Sequence, residues 1–135
     1  MTVTIYFDGS YRKETGEMYG ALVCDGFEDL WEEEEAGTSS THAEWIAALR
    51  ALEFAEEHSI SDILLIGDNK AVIDGMSGKA ATQETLLRFR SHAEKLSAEF
   101  NSVRWDWISS EDNPAGEVLR LAHTAGKFRT RGLLA

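Results

Sequence analysis

Three acidic residues stand where the pattern of the chain changes: Asp8 in Phe7-Asp8-Gly9-Ser10, Glu44 in Thr41-His42-Ala43-Glu44, and Asp68 in Ile66-Gly67-Asp68-Asn69. Each closes an apolar run or opens a helix-like one. Carboxylates gathered in a partly buried place repel one another, and a divalent cation with oxygen ligands removes that repulsion. The chemistry such a set supports is phosphoryl transfer, with cations neutralising charge on the reacting phosphate. Each residue also has an ordinary explanation taken alone. Aspartate before Gly-Ser forms turns, a first-turn glutamate suits the helix dipole, and Asp68 before Asn69 can cap a helix. It is their meeting at one end of one sheet that selects a metal site.

The elements that must bring them together are legible in the hydrophobic pattern. Val3, Ile5 and Phe7 alternate with Thr4 and Tyr6, which predicts a strand over residues 2–7 ending at Asp8. Gly9-Ser10 and Gly16 then lead to a second strand over 18–24, and Asp25-Gly26 is a hairpin signal before a third over 28–35. The Gly37-Thr38-Ser39-Ser40-Thr41 loop offers hydroxyl caps for a helix over 42–58. Ile63-Leu64-Leu65-Ile66 is apolar on both faces, as in a central strand covered on both sides. A short helix over 69–74, a longer one over 82–100, a strand over 103–108 and a last helix over 114–124 follow. Asn113-Pro114 is the cap and first-turn pair of that last helix. The order βββαβααβα predicts an α/β fold. Its mixed five-stranded sheet has three antiparallel then two parallel strands, with helices on both faces. Asp8 and Asp68 then lie at same-side ends of neighbouring parallel strands. Glu44 shares a helix stripe with Ala48, Ala51 and Ala55, whose small side chains let that face lie close to the sheet.

Composition bounds the rest. The chain has 135 residues, 43% of them hydrophobic, which suits one domain with a real core. No apolar run approaches the roughly 20 residues of a membrane span, and Met1-Thr2-Val3-Thr4 enters a strand without a leader pattern, so a soluble, cytoplasmic protein without a membrane partner is expected. A single cysteine, Cys24, rules out an internal disulfide framework. The net charge of −11 weighs against nucleic acid if it is spread evenly. It is not: Glu32 to Glu35, Glu53, Glu56 and Glu57 read as a solvated edge strand and an outer helix face. Lys127, Arg129 and Arg131 gather near the C-terminus, and Lys70 and Lys79 flank the acidic set. The four tryptophans, Trp31, Trp45, Trp105 and Trp107, are expected in the core.

This order of elements, with Phe7-Asp8-Gly9-Ser10, Ala43-Glu44-Trp45-Ile46-Ala47-Ala48-Leu49 and Gly67-Asp68-Asn69, resembles the type 1 ribonuclease H family from about Val3 to Leu121. The resemblance implies hydrolysis of the RNA strand of RNA–DNA hybrids with two magnesium ions, or manganese. Asp8, Glu44 and Asp68 would act as ligands. The family pattern Asn-x-x-Ala-Asp-x-Leu-Ala aligns with Asn113-Pro114-Ala115-Gly116-Glu117-Val118-Leu119, which makes Glu117 the fourth carboxylate, with Asp112 as its substitute. A glutamate there is one methylene longer, which alters the ligand distance and favours manganese.

Two departures concern turnover and grip. Ser109-Ser110-Glu111-Asp112-Asn113 holds no histidine, which many members carry before the last helix, and the basic protrusion of some members is absent. The chain thus resembles the compact, protrusion-free branch found in bacteria and archaea. Contacts to the hybrid are then expected from Gly9, Ser10, Ser40, Thr41 and Asn69 beside the carboxylates. A basic tail, residues 127–135, would follow the domain at 1–126 and supply Lys127, Arg129 and Arg131. A monomer is expected. The rival expectations are another nuclease on this fold, such as an exonuclease or junction resolvase, and a non-catalytic nucleic-acid-binding domain.

Overall fold

The computed structural model describes residues 1–79, 84–126 and 128–132. Strands β1 (Val3–Arg12), β2 (Glu17–Cys24) and β3 (Phe27–Glu33) form an antiparallel meander, and helix α1 (Ser40–Glu57) crosses to β4 (Asp62–Gly67). Helices α2 (Lys70–Met76) and α3 (Leu87–Ser97) lead to β5 (Ser102–Trp107), and α4 (Pro114–Ala125) precedes β6 (Arg129–Arg131). The sheet order is β5-β4-β1-β2-β3-β6, with β4 parallel to both β1 and β5, and β6 parallel to β3. This is the expected mixed sheet with one strand more. Asp25 and Gly26, both at positive φ, make the two-residue turn of the β2–β3 hairpin as its sequence demands.

The first strand corrects one expectation. It does not stop at Phe7 but runs on to Arg12, pairing Asp8 with Ala21 and Gly9 with Gly20, so Asp-Gly-Ser is strand rather than turn. Gly9 is there for a close approach: a Cβ on it would stand 2.4 Å from the Ala43 carbonyl oxygen at the start of α1. The chain turns instead at residues 13–16, where the Gly16 amide donates to the Arg12 carbonyl.

Helix α1 carries the larger core. Ser39 caps it by accepting from the His42 amide, and Trp45, Ile46, Leu49 and Leu52 are essentially buried, as are Ala48, Ala51 and Ala55. Burial of each large apolar side chain contributes about 1.5–3 kcal/mol, so α1 is fixed against β1 and β4 by packing rather than by propensity. On the other face of the sheet α4 packs Ala115 and Leu119 against Tyr19 and Ala21. Helix α3 begins after a single 3-10 turn at Glu84–Leu86, and residues 82 and 83 of its expected first turn lie outside the described residues. Trp31 and Trp45 are core as expected and Trp105 is half-buried, but Trp107 is 47% exposed at the end of β5. Among the described residues no helix is long and apolar enough to cross a membrane.

The acidic run on β3 is not a solvated edge throughout. Glu33 is buried and receives a bidentate bond from the equally buried Arg50 of α1, at 2.9 and 2.7 Å. Arg50 also donates to Glu53 at 3.0 Å and to the Gly132 carbonyl at 2.6 Å, and Arg129 and Arg131 both pair with Asp29. Of the stretch expected as a basic tail, residues 129–131 are therefore an edge strand that covers β3. Lys127 and residues 133–135 lie outside the described residues.

Candidate active site

Asp8 sits mid-strand on β1, Asp68 follows the last residue of β4, and Glu44 lies in the second turn of α1. The parallel pairing of β1 and β4 sets both aspartates at one end of the sheet, and the close packing of α1 on Gly9 swings Glu44 into the same place. One ligand oxygen from each of the three lies within 4.8 Å of the others. Opposite ligands on a magnesium ion are about 4.2 Å apart, at roughly 2.1 Å each, so the three oxygens span what one such ion needs with little contraction.

Electrostatics says the same. Burial pushes Glu44 well above the ordinary carboxylate range, its hydrogen bond with Asp8 adds to that, and the charges of Asp8 and Asp68 push in the same direction. Asp8 is raised too, chiefly by burial. The pair thus shares a proton, held on Glu44 and donated to Asp8. Glu44 Oε2 is buried with no hydrogen-bond partner. A buried carboxylate oxygen is not normally left unmatched, and here it is the free donor a cation would take. Asp8, Glu44 and Asp68 therefore fit a hard divalent cation, which would remove both the repulsion and the orphan atom.

The linkage gives a sign. Because folded Glu44 binds its proton more tightly than the unfolded chain, whose glutamates titrate near 4.5, metal-free stability falls as pH rises above that value. Glu44→Gln keeps the bond to Asp8 and removes the titration. Metal-free thermal unfolding should therefore show the variant overtaking the parent above about pH 5, the gap widening by at most about 1.4 kcal/mol per pH unit. Magnesium should then raise the melting temperature of the parent more than that of the variant. A gap that is flat with pH contradicts the shared proton.

A fourth side chain organises the cluster, and the sequence pointed only to its capping role. Asn113 is 2% exposed; its Oδ1 accepts from the Ala115 amide to cap α4, while its Nδ2 donates to Asp68 Oδ2 at 2.9 Å and to the Phe7 carbonyl at 3.0 Å. One amide thus ties α4, β1 and Asp68 together. Asn113→Ala should cost about 2–3 kcal/mol of stability from the lost cap and the unpaired groups. It should also lower kcat by roughly 10–100-fold, since Asp68 loses its orienting partner. Urea unfolding and steady-state kinetics check the two separately. On the far side of β4, the exposed Trp107 donates from Nε1 to the Asp68 carbonyl at 3.0 Å.

Glu117 reaches the rim and not the cluster. It lines the cavity of about 360 Å³ that opens over Asp8 and Asp68, together with Glu111, Gly116 and Arg120. Helix α4 comes this close because residue 116 is glycine: a Cβ there would stand 3.2 Å from Asp8 Oδ2. The Glu117 carboxylate is exposed and held below the usual range by its bonds to Arg120, at 3.2 and 2.6 Å. Asp112 is outside that lining and accepts from Ser109 Oγ at 2.9 Å, so of the two candidates for a fourth carboxylate Glu117 is the nearer.

The other expected contacts are scattered. Ser10 Oγ is bonded to His123 Nε2 of α4 at 3.0 Å, Ser40 and Thr41 occupy the first turn of α1, and Asn69 caps α2 by accepting from the Val72 amide. Arg129 and Arg131 are ion-paired on β6, three strands from β1.

Comparison with known proteins agrees with this geometry. A family model described as reverse transcriptase-like matches residues 6–123. No curated protein sequence matches. Among solved structures, RNase H1 from the halophilic archaeon Halobacterium salinarum NRC-1 superposes with a TM-score of 0.81 and 25% identity, over 94% of this chain and 100% of that one. LC11-RNase H1, isolated from compost by a metagenomic approach, gives 0.77 with 22% identity over 93% and 99%. The same protein in complex with an RNA/DNA hybrid gives 0.74 with 21% identity over the same shares, 93% and 99%. The N-terminal RNase H domain of Rv2228c from Mycobacterium tuberculosis gives 0.76 with 20% identity, again over 93% and 99%. These last three establish the fold. With most of its length matched by the family model and its carboxylates converged at one end of the sheet, the chain belongs to the reverse transcriptase-like family and is a ribonuclease H by fold and family.

Proposed function

We propose that the chain is an endonuclease that hydrolyses the RNA strand of RNA–DNA hybrids in a divalent-cation-dependent reaction. The observation that carries this is the convergence of Asp8, Glu44 and Asp68, with a buried, unpartnered Glu44 oxygen, at the sheet end of a ribonuclease H fold. The hybrid held by LC11-RNase H1, a protein of the same fold, supports the substrate class. Asp8, Glu44 and Asp68 would hold magnesium or manganese, two ions in the full reading, with Glu117 at the rim as the further carboxylate. Bound there, the cations supply charge neutralisation on the phosphate, a more acidic water and stabilisation of the leaving oxygen.

The protein's own contribution is position and proton control. Asn113 holds Asp68 in line, the contact of Gly9 with α1 holds Glu44 against Asp8, and cations bound there would displace the proton shared by those two. Ser10, Ser40 and Thr41 would be the hydroxyls offered to the sugar-phosphate backbone, where the 2′-hydroxyl distinguishes RNA from DNA. The test is a chelated sample offered hybrid, RNA duplex, DNA duplex and single strands, with magnesium or manganese then restored. Cutting confined to the hybrid and to restored samples supports the reading. Cutting of DNA ends or of branched DNA instead would move it to an exonuclease or a junction resolvase.

A further inference from the structure

The cavity over Asp8 and Asp68 poses an electrostatic problem that one residue answers. Its walls carry Asp8, Asp68, Glu111 and Glu117, on a chain whose net charge is −11, yet the ligand of the proposed reaction is a phosphodiester. Among the described residues of that lining Arg120 is the only cation. Its partner is not one of the half-buried aspartates. Its Nε and Nη2 form a fork on the two carboxylate oxygens of Glu117, one helical turn back on α4, at 3.2 and 2.6 Å. Both side chains are more than half exposed, at 66% and 59%.

We propose that Arg120 is a phosphate-binding residue of this site, and that its pair with Glu117 is a resting state the substrate exchanges. This rests on the reading of the site as a nuclease centre. A guanidinium fork that fits a carboxylate bidentately fits a phosphate the same way, and the phosphate carries its charge into the cavity where the fork already stands. An exposed ion pair contributes little to stability, so giving it up costs the helix almost nothing. The exchange has a second consequence. Glu117, released from Arg120, is free to turn towards the cations that Asp8 and Asp68 would hold, which its neighbour Gly116 brings close by letting α4 approach Asp8. Substrate arrival and completion of the carboxylate set thus become one event, made by two residues three apart on one helix.

The experiment measures binding of a fluorescent RNA–DNA hybrid to the full chain in chelator, where nothing is cut, across a salt series, beside steady-state cleavage in magnesium. Arg120→Gln should weaken metal-free binding roughly 10-fold and reduce the slope of log affinity against log salt by about 1. Arg120→Lys should keep the slope and recover part of the affinity, since the charge stays and the fork is lost. Glu117→Gln should tighten metal-free binding with Arg120 present and have little effect in the Arg120→Gln background. In cleavage, Arg120→Gln should raise KM more than it lowers kcat. Unchanged affinity and slope in Arg120→Gln would overturn the proposal. So would equal tightening by Glu117→Gln in both backgrounds, which is what simple removal of a negative charge gives. A parent that binds and cuts hybrid while Arg120→Gln behaves like it removes only this inference. A folded parent that neither binds nor cuts hybrid removes the nuclease reading and the inference with it.

Discussion

Replacing Asp68 by asparagine should lower the rate of hybrid cleavage by at least about 10³-fold, equivalent to roughly 4 kcal/mol of lost transition-state stabilisation, while leaving the protein folded. The expectation follows from what each atom does. Asp68 Oδ2 is oriented by Asn113 and its backbone carbonyl by Trp107, so the residue is held at side chain and main chain, with a carboxylate oxygen within 4.8 Å of ligand oxygens of Asp8 and Glu44. Asparagine has the same shape, and it removes a charge from a cluster that is repulsive without cations. Metal-free stability should stay within about 1 kcal/mol of the parent, or rise. Asp8→Asn should behave alike, since Asp8 is the acceptor of the Glu44 proton and faces the same cavity. Rate and melting temperature together decide the matter. An inactive, unfolded variant would speak for a structural aspartate, and an active, folded one would remove Asp68 from the chemistry.

The second large effect lies far from the site. Arg50→Ala should destabilise the fold by about 3–5 kcal/mol, on the order of 10 °C or more in melting temperature, because it leaves Glu33 charged, buried and unpaired. Glu53 and the Gly132 carbonyl lose a donor at the same time, and with them goes the clamp that holds β6 on β3. The mechanism has its own control. Pairing Arg50→Met with Glu33→Leu removes both charges together, and the double variant should recover most of the loss, since replacing a whole buried pair by apolar groups is often close to neutral. A double variant no better than the single one would show that packing, not the stranded charge, carries the effect. Removing residues after Gly126 should likewise lower stability, contrary to what a free tail would do, because Arg50 then loses an acceptor and β3 its neighbour.

Much of this architecture is readable from the chain because the local signals agree with one another. The alternation in Val3 to Phe7, the two-sided apolar run at Ile63 to Ile66 and the Asn113-Pro114 pair each admit one element, and all three elements formed. The three carboxylates were legible for the same reason, since their placement depends on strand order and helix phase and not on side-chain detail. What was not legible depends on contacts between distant residues. Asp8-Gly9-Ser10 has turn composition, and only the approach of Ala43 to Gly9 shows why a strand there needs glycine. Strand β6 is three residues long and arginine-rich, with no period to detect. Its side-chain partners, Asp29 and Glu53, come from β3 and α1. The buried state of Glu33 could not be told from its neighbours in a run of four glutamates, because burial follows from the Arg50 that meets it across the fold.

Asn113 marks the boundary. Its sequence signal, an asparagine before proline, predicts the helix cap correctly and says nothing of the amide hydrogens that reach Asp68 and the Phe7 carbonyl. A side chain with two donors and an acceptor can satisfy a local rule with one atom and build a site with another. Glu117 presents the opposite case. Its alignment was visible in the sequence, but its engagement with Arg120 at the rim of the cavity required the structure.

The most direct test of the central claim is cleavage of a hybrid with both strands labelled, by the parent and by Asp8→Asn, in magnesium and in manganese. The account predicts that internal positions of the RNA strand are cut, that the DNA strand stays whole, and that the folded Asp8→Asn protein cuts neither. Cleavage by Asp8→Asn at the parental rate, or no RNA cleavage by folded parent in either metal, would contradict it.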